Sequence, residues 1–230
     1  MISKKERWLM FNKISKSYDL INRFITFGLD IKWRKELINK IPTPCENILD
    51  IASGTMDVAI QMTESRPDIK NIIALDMAKD MLSIGSDKCN KKNITKIKPV
   101  ISDVHNMPYN NDTFSAATVA FGIRNFENLP EAFKEIHRVL NSNSSFIILE
   151  SCQPNNKILA FFNNIYLRVW VRSIGHLISG NKDSYSYLAK SIKSFYTPNQ
   201  LKTILLKTGF KKVDVQTHML ESIQIIHAKK

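Results

Sequence analysis

The feature that most constrains the fold is the alternation of short apolar runs with segments of helical character. Five apolar runs have strand length, at 47–52, 71–76, 97–103, 116–121 and 145–151. Segments between them have the pattern of helices, at 56–65, 79–91 and 128–140. Strands that alternate with helices are typical of a parallel sheet covered by helices on both faces. The sequence therefore predicts an α/β fold with a doubly wound, mostly parallel sheet.

The end of the chain departs from this alternation. Two runs with a two-residue period, 211–217 and 221–228, are joined by three residues. That spacing predicts a β-hairpin rather than another strand–helix–strand unit. No repeat, low-complexity tract or Gly/Ser linker marks a boundary, so a single domain over residues 1–230 is expected. The predicted sheet is thus parallel with an antiparallel strand at its C-terminal end.

The charge balance is strongly basic, with 33 Lys and Arg against 21 Asp and Glu and a net charge of +12. Such a balance suits an anionic partner, either nucleic acid or a membrane surface, unless it reflects a generally basic proteome. A basic run at 87–98 is expected to be a solvated loop. The three cysteines form no CxxC pair, which indicates free thiols in a reducing compartment. Neither a signal peptide nor a spanning apolar run of about 20 residues is found, so a soluble cytoplasmic protein is expected.

Acidic side chains lie near the ends of three successive predicted strands. Asp50 lies in the run NILDIASGTMDVA, where Gly54 permits a close backbone approach and Thr55 adds a hydroxyl. Asp76 ends the second strand, where a carboxylate can accept hydrogen bonds from both hydroxyls of a ribose. Asp103 ends the third strand, in position to meet the edge of an adenine.

A single acid at such a position is most often a helix N-cap or a turn residue. Three acids at the same level of one sheet indicate instead a crevice for a ligand. The G-x-G-x-x-G fingerprint of dinucleotide sites is absent, because only Gly54 is present. A nucleoside ligand without a pyrophosphate therefore fits better than NAD. S-adenosyl-L-methionine (SAM) is such a ligand, and its cationic sulfonium tolerates nearby carboxylates.

Longer motifs make a family resemblance specific. The segments FNKISKSYDLINRFITFGLDIKWRKEL (11–37) and FGIRNF (121–126) resemble those of the ubiquinone/menaquinone C-methyltransferase family, within the class I methyltransferases. The strand-end acids mark only the broader superfamily. Further similar segments extend the resemblance over nearly the whole chain: LDIASGTMDVA (49–59), LDMAKDMLSIG (75–85), SDVHNMPYNNDTFSAATVAFGIRNF (102–126), HRVL (137–140), LES (149–151), IGHLISGNKDSYSYLAKSI (174–192) and LLKTGF (205–210).

The resemblance implies a seven-stranded sheet that ends in an antiparallel strand, SAM as cofactor, and a prenylated hydroquinone that is methylated on a ring carbon. It implies cofactor contacts at Thr55, Asp76, Asp103, Val104 and Ala120. With the strand-end residues included, the expected cofactor-binding set is Asp50, Gly54, Thr55, Asp76, Met77, Asp103, Val104 and Ala120.

Four segments depart from the family pattern. Met56 stands where relatives usually have Gly or Ala, and its larger side chain is expected to narrow the cofactor pocket. NSNSS (141–145) replaces a Pro-Gly-Gly turn and still favours a turn. The segment CQPNN (152–156) lacks the Lys that relatives carry before the Pro, and the last strand lacks their glycines.

The motif FGIRNF supplies the main catalytic candidates. Carbon methylation needs an electron-rich ring carbon, which a quinol provides when a hydroxyl loses its proton. Arg124 is predicted to stabilise the quinolate oxygen and relay the proton, and Asn125 to position the ring; a structural ion pair is the alternative for Arg124. Tyr18 and Asp19 are further candidates, either in a lid over the cofactor or as an aromatic contact and a helix cap. His105 is interpreted as a satisfied polar residue, and no cluster has the spacing of metal ligands.

The segment 156–181 is unusually apolar for an insertion after the fifth strand. We expect a tunnel for an isoprenoid tail, or alternatively an ordinary core helix pair. The predicted tunnel residues are Phe161, Phe162, Ile165, Val169, Trp170 and Leu177, with Arg168 and Arg172 at lipid head groups. The domain would then have an N-terminal helical lid at about 1–45, a helical substrate insertion at about 155–195, and weak, salt-sensitive membrane binding.

These observations favour a SAM-dependent C-methyltransferase of a demethylated prenyl quinol, with demethylmenaquinol to menaquinol as the first choice. A methyltransferase of another small molecule or of RNA is the second interpretation. The third is a basic nucleic-acid-binding module with a vestigial cofactor site, which the absence of aromatic residues from 87–98 disfavours. The expected partners are the quinol and, transiently, the inner face of the membrane, without nucleic acid; a homodimer is left open.

Overall fold

A single mixed sheet forms the centre of the molecule. The computed structural model describes residues 4–171, 173 and 182–230. Within these residues seven strands are present: β1 (Asn47–Ile51), β2 (Asn71–Asp76), β3 (Ile97–Ile101), β4 (Phe114–Ala120), β5 (Leu140–Ser151), β6 (Lys212–His218) and β7 (Ile223–Lys229). Their order is β3-β2-β1-β4-β5-β7-β6. The pairs among β1 to β5 are parallel, whereas β7 is antiparallel to β5 and β6, which confirms the predicted fold and hairpin.

Helices connect and cover the strands. The same described ranges contain eight α-helices: α1 (Lys4–Ile25), α2 (Leu29–Asn39), α3 (Asp57–Ser65), α4 (Lys79–Lys91), α5 (Leu129–Val139), α6 (Lys157–Tyr166), α7 (Lys182–Lys193) and α8 (Pro198–Lys207). A 3-10 turn, Ile123–Asn125, follows β4, and a π-helical turn, Leu167–Val171, follows α6. None of these described helices is long and apolar enough to cross a membrane.

Local sequence signals set where several helices begin. The Asn128 side chain accepts a hydrogen bond from the backbone N–H of Glu131 at the start of α5. The Asn156 side chain does the same for the first turn of α6. Thr197 and Gln200 form a reciprocal capping box at the start of α8. These caps satisfy backbone donors that have no partner within the helix, so the helix starts are fixed by neighbouring residues.

The sheet separates two apolar cores, because successive side chains of a strand point to opposite faces. Leu49 and Ile51 of β1 pack in one core with side chains of α5 and α8. Ile48 packs in the other core with side chains of α2, α3 and α4. The predicted cover of both faces is therefore confirmed. The three cysteines are buried in the structure as free thiols.

A third, smaller core lies outside the sheet. It joins Ile21 and Ile25 of α1 to Leu167 and Val171 of the π-helical turn and to Ile192 of α7. Tyr166 also donates a hydrogen bond to the carbonyl oxygen of residue 25. Two segments far apart in the sequence, the first helix and the helices after β5, thus pack directly on each other.

Two local predictions are wrong. β3 ends at Ile101, so Asp103 lies in the loop after the strand rather than at its last residue. The run 87–98 is not a solvated loop, because it holds the end of α4, a short turn and the start of β3. Lys88 in this run lies 2.6 Å from a carboxylate oxygen of Asp19 and 2.6 Å from one of Asp57.

Candidate cofactor and substrate site

Three neighbouring cavities lie at the edge of the sheet where β1, β2 and β4 end. The first cavity encloses about 800 Å³ with its opening, the second about 590 Å³ and the third about 380 Å³. Volumes of this size are typical of small-molecule sites. Phe121, directly after β4, lines all three. The three cavities of the site therefore share one aromatic side chain.

The structure brings the predicted cofactor-binding residues together. Six of them line the first cavity: Gly54, Asp76, Met77, Asp103, Val104 and Ala120. The other two, Asp50 and Thr55, line the third cavity, which Gly54 and Ala120 also line. Side chains of α1 complete the first cavity on its open side: Arg7, Trp8, Phe11 and Tyr18.

Asp76 is held by the backbone of two loops. Its Oδ2 atom accepts a hydrogen bond of 2.8 Å from the backbone N–H of Gly54, and its Oδ1 atom accepts one of 2.7 Å from Ala78. Burial raises the pKa of Asp76, although these two N–H groups favour its charged form. Each carboxylate oxygen has a second acceptor site. Asp76 is thus fixed in place and still able to accept hydrogen bonds from a ligand.

Asp50 orders the loop after β1. The residue is 1% exposed, and its two oxygens accept hydrogen bonds from Ser53 Oγ at 2.5 Å and Thr118 Oγ1 at 2.7 Å. Burial raises the pKa of Asp50 to about 6, against the effect of the two hydroxyls. The carboxylate therefore links β1, the glycine turn and β4.

Two residues of the site have a backbone conformation that the sequence does not announce. Ala52 and Phe121 have φ angles of 51° and 57°, in the left-handed region that usually favours glycine. Non-glycine residues held there often mark functional sites. A Cβ atom on Gly122 would lie only 2.5 Å from that of Ala52, so the loops after β1 and β4 touch at this glycine. Sequence reasoning missed Ala52 and Phe121 because neither residue type signals a positive φ.

The expectation that Met56 narrows the cofactor pocket is wrong. Met56 is 0% exposed and lines none of the three cavities. Its side chain points toward Gly85 of α4, where a Cβ atom would lie 2.5 Å from the Met56 Cγ atom. The φ of Met56 is 61°, a conformation in which glycine is relaxed. Met56 therefore fills core space that the missing side chain of Gly85 leaves open.

A network of charges, here the Lys88 network, ties α1 to the loop after β1. Thr55 Oγ1 donates a hydrogen bond of 2.7 Å to Asp19. Lys88 of α4 donates to Asp19 and Asp57 at 2.6 Å each, and Arg34 of α2 donates to Asp57 at 2.6 Å. Burial acts to raise the pKa of Asp57, but Arg34 and Lys88 outweigh it and hold that pKa low. Asp19 thus has a structural partner at each oxygen.

Arg124 forms the buried ion pair that the sequence left open as its alternative role. Its guanidinium lies 2.6 Å from Glu150, with the two side chains 5% and 0% exposed, and it donates to the carbonyl oxygen of Phe121 at 2.7 Å. Burial acts to lower the pKa of Arg124, but the Glu150 charge raises it overall, so the guanidinium stays charged. Arg124 lines the second cavity, whereas Asn125 lines the first and accepts a hydrogen bond of 3.0 Å from Tyr187.

Tyr18 of α1 lines the first and third cavities. Burial raises the pKa of Tyr18, while the charge of Arg124 opposes that rise. Asn22, one helical turn further on, is close enough to lower the pKa of Tyr18. The Nδ2 atom of Asn22 nevertheless reaches hydrogen-bond geometry with no described atom.

His105 is satisfied on both ring nitrogens. Nδ1 lies 2.7 Å from Asp103 Oδ1, and Nε2 accepts a hydrogen bond of 3.3 Å from the backbone N–H of Asn128. This pattern places the proton on Nδ1 and agrees with a satisfied polar residue. In the described ranges, no group of three or more His, Cys, Asp or Glu residues is arranged to hold a metal ion.

Most of the residues that were predicted to line a tunnel face away from the protein, so this prediction is wrong. Four of its six residues are exposed on the surface, at 46% to 62%: Phe161, Phe162, Ile165 and Val169. Trp170 instead stacks on Phe27, with ring centroids 4.9 Å apart. Arg172 and Leu177 lie outside the described residues. The opposite face of this segment lines the second cavity, through Asn163, Tyr166, Leu167 and Val171.

Comparison with known proteins places these features in a family. The model of the ubiE/COQ5 methyltransferase family matches residues 2–230. The chain is 36% identical to a demethylmenaquinone methyltransferase of Thermotoga maritima, over 91% of this chain and 90% of the relative. It is 34% identical to the ubiquinone/menaquinone biosynthesis C-methyltransferase UbiE of Rickettsia prowazekii, over 91% of this chain and 87% of the relative.

A solved structure shows the same fold at low sequence identity. A putative SAM-dependent methyltransferase of Methanococcus maripaludis superposes with a TM-score of 0.67 at 19% identity, covering 95% of this chain and 93% of its own. The predicted class I methyltransferase fold, methyltransferase activity and SAM cofactor are confirmed by these findings. The chain belongs to the ubiE/COQ5 methyltransferase family.

Proposed function

We propose that the chain transfers the methyl group of SAM to a ring carbon of a demethylated prenyl quinol, with demethylmenaquinol as the favoured acceptor. The names of its relatives, demethylmenaquinone methyltransferase and UbiE, support a quinol acceptor. The observation that carries the proposal is the second cavity, which is mostly apolar and shares Phe121 with the first cavity. An apolar chamber beside a nucleoside-sized chamber suits methyl transfer to a lipid-like ring.

The residues of the first cavity fit SAM. Asp76 has free acceptor capacity for ribose hydroxyls, and Asp103 lies beside it for the adenine edge. Met77 and Val104 provide apolar surface for the base. SAM has no phosphate, so the lack of a glycine-rich phosphate loop is no obstacle. When bound, SAM supplies an electrophilic methyl group on its sulfonium.

The chain's own residues prepare the acceptor. We assign Arg124 the stabilisation of a quinolate oxygen, because its guanidinium is charged, buried and next to Phe121. A guanidinium that Glu150 keeps charged does not accept protons, so Arg124 is not assigned the proton relay. Asn125 is assigned the positioning of the ring. Tyr18 and Asp19 are assigned to a lid, in which α1 covers the first cavity and excludes water.

A prenyl tail is apolar and stays in a membrane, so the enzyme must reach its acceptor there. Exposed apolar side chains of α6 form a surface suited to that contact. The α6 apolar face, which extends into the π-helical turn, consists of exposed side chains at helical spacing: Ile158, Phe161, Phe162, Ile165 and, in the turn, Val169. The opposite face of the same segment lines the second cavity. The net charge of +12 complements an anionic surface. We therefore assign α6 a transient docking role at the membrane that holds the quinol.

Flotation with vesicles tests this docking role. The chain is expected to float with anionic vesicles at low salt and to be released as the salt concentration rises. The double variant Phe161→Ser/Phe162→Ser is expected to lose flotation while it keeps SAM binding. Ser substitutions at Leu206 and Leu220, which are also exposed, serve as the matched control. Equal flotation of both double variants would contradict the assignment.

Methyl transfer itself tests the proposed reaction. The purified chain is incubated with methyl-labelled SAM, a reductant and membrane lipid from cells that accumulate demethylated quinones. Label is expected in the quinone fraction, and its chromatographic position distinguishes a naphthoquinone from a benzoquinone product. SAM binding without label in that fraction would contradict a quinol acceptor and favour another small molecule or RNA.

A further inference from the structure

The second cavity contains polar groups that the proposed reaction does not yet use. The cavity lies between α1, α6 with its π-helical turn, α7 and the ends of β5 and β7. Leu167, Val171, Leu188 and Ile192 give it an apolar wall. A chamber built only to hold a hydrocarbon tail would need no polar side chain in that wall.

Three side chains of the lining carry an N–H group that has no partner among the described residues. The nitrogens are Nδ2 of Asn163, Nδ2 of Asn22 and Nε of Arg124, none of which meets a hydrogen-bond acceptor among the described residues. Asn163 is only 6% exposed, so solvent does not replace the missing partner. A buried donor without a partner destabilises the folded state and calls for an explanation.

The three groups have one chemical property in common, since each is a hydrogen-bond donor. Donors in the lining of an apolar cavity match a flat ligand with acceptor oxygens at its rim. A hydroquinone ring carries two oxygens on opposite sides. Arg124 donates a hydrogen bond to the carbonyl oxygen of Phe121, and Phe121 lines both the first and the second cavity. Arg124 is therefore the donor to the ring oxygen that lies nearer to SAM. Asn163 and Asn22 are on other walls, on α6 and α1.

We propose that Asn163, assisted by Asn22, is the positioning residue that donates a hydrogen bond to the second ring oxygen of the acceptor. The inference rests on the proposed function and adds how the acceptor ring is recognised. The two amides orient the ring so that one carbon faces the first cavity. Because they bind an oxygen rather than the tail, they select rings with two oxygens over rings with one.

The test combines a change in the protein with a change in the ligand. Asn163→Leu removes the amide at nearly constant size, and Asn164→Leu on the same helix, which does not line the cavity, is the matched control. Inhibition constants are measured for the prenyl quinol and for the two analogues that each lack one ring hydroxyl. Calorimetry with S-adenosylhomocysteine reports the cofactor side, and thermal unfolding reports folding.

The wild-type chain and Asn164→Leu are expected to bind both analogues about tenfold more weakly than the quinol, because each analogue lacks one hydrogen bond. Asn163→Leu is expected to bind one of the analogues, the one without the hydroxyl that faces Asn163, as tightly as the quinol, with unchanged affinity for S-adenosylhomocysteine. A merely structural role would weaken all ligands together. Should Asn163→Leu fail to fold, Asn22→Leu is expected to reduce the same ratio.

The outcomes separate this inference from the reaction on which it rests. If the wild-type chain methylates the quinol and Asn163→Leu still binds both analogues about tenfold more weakly than the quinol, the positioning role is overturned. If the wild-type chain methylates no prenyl quinol, the proposed function itself fails.

Discussion

The proposed cofactor side and the proposed substrate side of this site are built in opposite ways. On the cofactor side, Asp50 and Asp76 each accept two hydrogen bonds from the protein before any ligand arrives. On the substrate side, Asn22, Asn163 and Arg124 keep N–H groups that have no partner in the described part of the chain. The first half is thus preorganised, whereas the second half would complete its hydrogen bonds with the proposed ligand.

The largest expected effect comes from breaking the ion pair on the substrate side. Glu150→Leu leaves the Arg124 charge buried without a partner and should lower the free energy of unfolding by about 3–5 kcal/mol. The double variant Arg124→Met/Glu150→Leu should regain most of that loss and still lack methyl transfer. Urea unfolding and the labelled-methyl assay measure the two effects.

An exposed pair provides the control for that experiment. Lys70 and Glu46 pair with side chains 64% and 54% exposed, so Glu46→Leu should cost no more than about 1 kcal/mol. A Glu150→Leu variant as stable as Glu46→Leu would show that the Arg124 pair is not a buried pair in solution. Full activity in the double variant would remove Arg124 from the chemistry.

The next largest effect is on the cofactor side. Asp76→Ala removes the carboxylate that holds the backbone N–H groups of Gly54 and Ala78, together with the proposed ribose contacts. Affinity for S-adenosylhomocysteine should fall on the order of 100-fold, as for the loss of two hydrogen bonds to a charged group. Calorimetry measures it, with the exposed Asp80→Ala as control. A loss below threefold would contradict the assignment.

Asp50 should make the stability depend on pH. Its pKa is about 6 in the folded chain and near 3.8 in an unfolded one, so the folded chain binds this proton more tightly. That contribution is fully present below pH 3.8 and is lost as the pH rises through 6. The stability of wild type relative to Asp50→Asn should therefore fall by about 2–3 kcal/mol between pH 4 and 6. Denaturant unfolding across that range measures it, and a flat difference would contradict the pKa.

The smallest effect concerns the link between α1 and the cofactor side. Lys88→Met removes a partly exposed cation from Asp19 and Asp57 and should cost about 1 kcal/mol. Hydrogen exchange of α1 should become faster, because this helix loses its bond to α4. Lys92→Met, which breaks the exposed pair with Glu64, is the matched control and should leave exchange in α1 unchanged. Equal exchange in both variants would show that Lys88 does not hold α1 in place.

The same comparison explains what the sequence could predict. The proposed cofactor side is made of residues at or soon after the ends of β1, β2 and β3, so a strand followed by a glycine turn and spaced acids was enough to predict that Gly54, Asp76 and Asp103 lie around one cavity. The C-terminal hairpin could also be predicted, because its two strands are adjacent in the sequence. The positive φ of Ala52 and Phe121 was not predictable, because it follows from the contact of two loops and not from either residue type.

The substrate side depends on contacts between distant segments. The apolar stripe of α6 was visible in the sequence, but periodicity does not say which face of a helix meets the protein. The stripe is exposed, and the cavity is lined by the other face, through Asn163 and Tyr166. Lys88 likewise appeared to be one cation of a solvated run, because its partner Asp19 is 69 residues away.

The most direct test measures cofactor affinity and substrate affinity in variants of each side of the site. Wild type, Asp76→Ala and Asn163→Leu are compared for the Kd of S-adenosylhomocysteine and, at saturating SAM, for the KM of the prenyl quinol. Asp76→Ala is expected to raise only the Kd of S-adenosylhomocysteine, and Asn163→Leu only the KM of the prenyl quinol. A variant that shifts both constants equally, or the exchange of the two effects, would contradict this expectation.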